Sequence, residues 1–197
     1  GGGGGGGTVA GLPIDFDTAG VTYTLTGFGG AEDATVAAGV AGANGSVARV
    51  VKSATAELWA GTTVSTGANQ SIATIPFTAT ARSMTLRVRA PAAGIVVRLK
   101  VEDAADNTHT VETEATTTVA NAWETLTFNF ANQATGTAAL NLAFTYNKAS
   151  VFFAFGTTGA AGGAGTYYFD ELNFVAGGGG GGGGGGTVAG LPIDFDT

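Results

Sequence analysis

The chain contains no cysteine. That excludes a disulfide framework, a thiolate metal site and a cysteine nucleophile. Charge is scarce as well: Asp, Glu, Lys and Arg make up 12% of the 197 residues, about half the usual share. Eight basic residues stand against fifteen acidic ones, for a formal net charge of −7. A nucleic-acid partner needs a basic stripe to neutralise phosphates, and none is present. No apolar run approaches the ~20 residues of a membrane span. The chain opens on glycine rather than on a basic leader, which reads as a segment of something longer. His109 is the only histidine. Without a G-x-S-x-G elbow to supply a serine, it reads as a surface or rim residue rather than part of a triad.

What the chain has in excess is glycine, at 35 positions. Gly177–Gly186 is an unbroken run, and Gly1–Gly7 reads as the end of another. Each run is followed by TVAGLPIDFDT, at Thr8–Thr18 and again at Thr187–Thr197. Eleven identical residues do not recur by chance. The reading is a tandem array seen through a window longer than one period; the alternatives are a duplicated tag and successive subunits of an assembly run together as one chain. It divides the chain into a polyglycine connector (1–7), a domain (8–176), a second connector (177–186) and the start of the next repeat (187–197). A ten-glycine linker spans roughly 16–19 Å as a flexible coil. In the polyproline II form it spans about 31 Å, a form stable only when such helices bundle. The first suits an isolated domain and the second an ordered assembly.

Between the glycine runs, side chains alternate. Met84, Leu86 and Val88 fall on one face of MTLRVRA, and Thr85, Arg87 and Arg89 on the other. Val97, Leu99 and Val101 oppose Val96, Arg98 and Lys100. Leu126, Phe128 and Phe130 alternate in ETLTFNF, and Leu140, Leu142, Phe144 and Tyr146 in LNLAFTY. In TYYFDELNF the alternation sets Tyr168, Asp170, Leu172 and Phe174 on one face and Tyr167 on the other. Period two is the mark of half-buried antiparallel strands. Further strands are expected at 35–40, 46–53, 72–77, 109–117 and 151–155, with glycine, proline and Asn-Gly breakers between them. The expected fold is all-β: a jelly-roll β-sandwich of two antiparallel sheets, flanked by polyglycine segments.

The order LPIDFD, NGSVARVVKS, ELWAG, RVRAPAAGIVVRLKVED, WETLTFNF, VFFAFG and TYYFDELNF resembles that of secreted bacterial carbohydrate-binding-module-like jelly rolls, related to galactose-binding-like domains. The resemblance covers Leu12 to Phe174. It implies an extracellular or cell-surface setting. It also implies a structural Ca²⁺ where first and last strands meet, on Asp15 or Asp17 and on Asp170, with Glu32, Asp33 and Asn44 as further oxygen donors. The other reading of these carboxylates is solvated turns and strand-end acceptors.

Sugar recognition needs exposed aromatic platforms and planar polar side chains. Trp59, Trp123 and Tyr167 are the candidate rings, beside Tyr146, Asn69 and Gln70; core packing is the alternative for each. Glu102, Asp103, Glu112 and Glu114 supply carboxylates for glycoside hydrolysis, but Glu112 and Glu114 share a strand face whose plainer role is solubility, so no enzyme is expected. Two functions remain. The repeat favours a structural unit of an extracellular filament, sheath or adhesin stalk, assembling with itself through Thr8, Val9, Leu12, Ile14, Phe16 and the connector from Gly177 to Gly186. The alternative is a carbohydrate-binding module of a secreted or surface protein, with a polysaccharide as partner.

Overall fold

The structure, a computed structural model, describes residues 11–176. The glycine runs, Thr8, Val9 and the second copy of the repeat lie outside the described residues. Ten strands form two antiparallel five-stranded sheets. The first has the order β1 (Thr24–Phe28), β4 (Gly61–Ser65), β9 (Lys148–Phe153), β6 (Val96–Asp103), β7 (Asp106–Thr116). The second has β2 (Asp33–Ala37), β3 (Val47–Lys52), β10 (Gly165–Val175), β5 (Ser83–Arg89), β8 (Trp123–Asn129). This is the expected β-sandwich. Among the described residues, no helix is long and apolar enough to cross a membrane.

The core lies between the sheets and follows the alternation. Val97, Leu99 and Val101 of β6 point inward with Val151 and Phe153 of β9. Met84, Leu86 and Val88 of β5 meet them from the other sheet, with Leu126 and Phe128 of β8 and Phe169 of β10. Each inward aliphatic or aromatic residue buried this way contributes about 1.5–3 kcal/mol.

Three local expectations are corrected. Tyr167 is 1% exposed and faces the core, stacked on Phe153 at 4.8 Å. A bulge between Asp170 and Asn173 resets the alternation of β10, with Glu171 at φ 49°. Tyr167 and Phe169 therefore point inward before the bulge, and Leu172 and Phe174 after it. Leu140–Tyr146 is not a strand. The Asn141 side chain accepts from the Ala143 N–H and its carbonyl from Phe144 N–H, curling the segment into a turn. Ile72–Phe77 is irregular too: Pro76 has no N–H for a ladder, and Ile72 and Ile75 donate instead to Asn147 and Tyr146 carbonyls.

The N-terminal segment closes one end of the sandwich. β3 pairs with β10 only as far as Phe169. Beyond it, Ile14 exchanges both backbone hydrogen bonds with Leu172, at 2.9 and 3.1 Å. Leu12, Ile14 and Phe16 are buried in the core of this same domain.

Candidate functional site

The outer face of the first sheet carries residues that the alternation turns away from the core. The strand register arranges them in rows. One runs Phe28, Gly61, then Phe152, Arg98, Glu114: Phe28 pairs with Gly61, and Arg98 with both Phe152 and Glu114. The next runs Thr26, Thr63, Ser150, Lys100, Glu112. A third joins Lys148, Glu102 and Thr110. Along β9 the face grades from aromatic Phe152 to polar Ser150 to charged Lys148, while β6 and β7 carry charged residues in the first two rows as well.

Gly61 makes the aromatic end. A Cβ there would lie 2.6 Å from Phe152 Cδ1 and 2.9 Å from Phe28 Cζ. Its absence lets the two rings meet edge to face, centroids 5.6 Å apart. Trp59, from the β3–β4 connection, stacks on Phe28 and is 48% exposed. At the other edge the Arg98 guanidinium lies over Phe155, 3.5 Å from the ring centroid. Together with Gln70 and Lys148 these residues line a groove of about 460 Å³.

Two cations on the floor of the groove, Arg98 and Lys100, are paired with carboxylates. Arg98 bonds Glu112 Oε2 at 2.7 Å and Glu114 Oε1 at 2.6 Å, and Lys100 forms an ion pair with Glu102 at 2.8 Å. Thr63 and Ser150 hydroxyls share a 2.7 Å bond. Such a floor offers fixed, planar donors and acceptors beside aromatic faces. The carboxylates considered for hydrolysis are thus tied to Arg98 and Lys100. Asp103 lies 3.7 Å from His109, which stacks on Phe144 at the end of the β6–β7 hairpin.

Of the three rings singled out from sequence, Trp59 lines this groove and the other two do not. Tyr167 is in the core. Trp123 lies on the opposite sheet, its indole N–H donating to Ala41 O at 3.0 Å and its ring under Arg87. Tyr146 is buried. Gln70 reaches the groove from the turn after β4, while Asn69 beside it is exposed. Phe28, Phe152, Phe155 and Arg98 were missed as site residues. A signal for them existed in Arg98 and Lys100, two cations on the outward face of a core strand.

The acidic trio does not gather on one point. Partial burial pushes the Asp15 carboxyl up, but hydrogen bonds from Tyr23, Asp17 N–H and Thr18 outweigh it and hold the group below its ordinary value. Asp17 accepts from the Ser46 N–H with both oxygens. Asp170 is buried, which pushes its carboxyl up to about 6. The Glu171 N–H and Arg87, 3.7 Å away, offset only part of this, and the charges of Glu171 and Asp17 add to it. Among the described residues no three His, Asp or Glu side chains form a metal-holding group. Asp15 is thus engaged by its own turn and by Tyr23, and a guanidinium stands beside Asp170. Glu32 bonds the Gly30 N–H and Asp33 pairs with Arg49.

No protein-family model matches the chain, and no curated protein matches it. Among solved structures it is similar to a family 11 carbohydrate-binding module from Clostridium thermocellum in complex with a β-1,3-1,4-mixed-linked tetrasaccharide. The TM-score is 0.52 at 13% identity, covering 84% of this chain and 94% of that one. It is equally similar to a structure of the family 11 module of a cellulosomal cellulase from the same organism, at TM-score 0.52 and 14% identity, covering 84% and 93%. Identity this low shows the shared β-sandwich fold.

Proposed function

We propose that the chain is a carbohydrate-binding module of a secreted or surface protein, binding a polysaccharide in the groove on the outer face of β1, β4, β9, β6 and β7 without catalysing its cleavage. The observation that carries this reading is the exposed Trp59 stacked on Phe28 beside the paired Arg98, Glu112 and Glu114. A sugar ring has an apolar C–H face and a rim of hydroxyls. It gains by laying the face on an aromatic ring and the rim against fixed charged donors and acceptors. The fold likeness to a module holding a mixed-linked tetrasaccharide supports the same class of ligand.

Affinity gel electrophoresis against mixed-linkage β-glucan, with cellulose-derived, xylan and galactan gels alongside, tests it. Retardation in at least one gel, lost with W59A, is the expected result. Unaltered mobility in all of them sinks the reading.

A second reading rests on the repeated TVAGLPIDFDT and its glycine runs. It makes the same sandwich a repeating unit of an extracellular filament, sheath or stalk, self-associating head to tail. Electron microscopy of native material tests that reading: regular filaments with one sandwich per axial step support it, and dispersed single domains count against it.

A further inference from the structure

β10 carries an apolar groove that its neighbouring strands leave open. β3 stops pairing at Phe169, and Leu172 beyond it is matched by Ile14 alone. The groove is selective for the segment that fills it. Leu12, Ile14 and Phe16 are 5%, 1% and 6% exposed, so every second side chain is inserted. Phe16 packs edge-on against Phe169 at 5.7 Å and at a tilt against Tyr23 at 5.2 Å. Between them, Asp15 takes the Tyr23 hydroxyl at 2.8 Å, and Asp17 takes the Ser46 N–H. Apolar and acidic positions alike are used. Residues 187–197 repeat this segment without a change, placing Leu191, Ile193, Phe195, Asp194 and Asp196 where the groove uses Leu12, Ile14, Phe16, Asp15 and Asp17.

We propose that the groove beside β10 is a docking site for residues 187–197 of the same chain, which take the place of residues 8–18 when these leave. Chain direction permits it. Ile14 runs antiparallel to β10, so a segment that follows β10 and turns back arrives in the required orientation. With Ile193 opposite Leu172, Gly190 falls opposite Val175, and residues 176–189 form the link. Neighbouring strands lie only ~4.8 Å apart, whereas a glycine-rich link of fourteen residues spans roughly 19–22 Å as a coil. The link has slack, and its effective concentration is on the order of millimolar. At micromolar protein, the chain's own second copy therefore outcompetes that of a neighbour. Residues 19–23 tether the first copy through a link about a third as long. A link that much shorter favours closure about fivefold, so the first copy is the majority occupant, as the structure has it. Each exchange releases residues 8–18, which then match the groove of another copy of the chain. The inference is independent of sugar binding at Trp59.

The test uses the full chain in four forms: unchanged, I193D, I14D and I14D/I193D. A carboxylate at either isoleucine bars that copy from the groove. I193D is expected to melt with the unchanged chain. I14D is expected to melt about 2–3 °C lower, having lost the majority occupant, and to stay monomeric by sedimentation at 5 and 50 μM. The double variant is expected to melt about 10 °C or more lower. If it fails to fold, I14A/I193A gives the same contrast at smaller amplitude. Equal melting of I14D and I14D/I193D overturns the proposal. Rescue of I14D only as concentration-dependent oligomers also overturns it, assigning the second copy to a neighbouring chain's groove.

Discussion

Trp59 lies nearly parallel to Phe28, with ring centroids 6.2 Å and planes 19° apart, and keeps nearly half of its surface in solvent. The indole is thus braced from beneath while its outer face is free. Replacing it with alanine removes the platform and little of the core. W59A is expected to weaken polysaccharide binding tenfold or more, about 1.4 kcal/mol. Its melting temperature should stay within about 2 °C of the parent. Isothermal titration calorimetry beside a thermal melt checks both, and undiminished affinity would place the sugar elsewhere.

Arg98 is held by two carboxylates and one ring, and it in turn separates Glu112 from Glu114. Alanine at this position leaves two like charges on one strand face with no cation between them. R98A is expected to cost about 1–3 kcal/mol of stability and to weaken sugar binding as well. R98K restores charge but not the forked geometry that reaches both carboxylates, so stability should recover more than affinity does. Urea titrations and binding isotherms of the two variants make the comparison.

Where alternation was uninterrupted, the sequence was a reliable guide: Met84–Val88 and Val97–Val101 point as period two requires. It misled at Tyr167, because the bulge at Glu171 depends on what packs against β10 and leaves no mark in TYYFDELNF. It misled at Leu142, which alternates with core residues yet is 44% exposed, because Asn141 turns the backbone there. The groove was harder still. Its rings come from residues 28, 59, 152 and 155, and only the order β1-β4-β9-β6 brings them together. Gly61, which makes room for two of those rings, is indistinguishable in sequence from the other glycines of the chain.

Lys52 is 2% exposed, and among the described residues no carboxylate pairs with it. Burial pushes its ammonium down from the usual lysine value. Its three protons are spent on backbone carbonyls of Phe153, Ala154 and Thr157 at 3.2, 3.0 and 2.8 Å. The side chain therefore ties β3 of one sheet to the end of β9 in the other. K52M preserves most of the volume and leaves the carbonyls without that donor. It is expected to cost about 3–5 kcal/mol, seen as a lower urea midpoint with the m-value unchanged. A loss below about 1 kcal/mol would mean that water replaces the ammonium at little cost.

Asp170 makes the pH dependence of the fold unusual. Its carboxyl titrates near 6 in the folded chain and near 3.9 when unfolded. Below about pH 4 both states hold the proton and the residue costs nothing. Between pH 4 and 6 the unfolded chain releases its proton while the folded chain keeps it, so folding stability falls as pH rises. By pH 7 the loss is about 2–3 kcal/mol. Asp15 works in the opposite sense: held below its ordinary value, it adds stability that is lost as pH falls. Comparing D170N with the parent isolates the first effect, since Asn retains an oxygen for the Glu171 N–H. D170N is expected to match the parent near pH 4 and to exceed it by up to about 2 kcal/mol at pH 7.5. Urea midpoints at the two pH values decide the matter; a gap of the same size at both would show that Arg87 and Asp170 are joined as a charged pair whose removal costs the same whatever the pH.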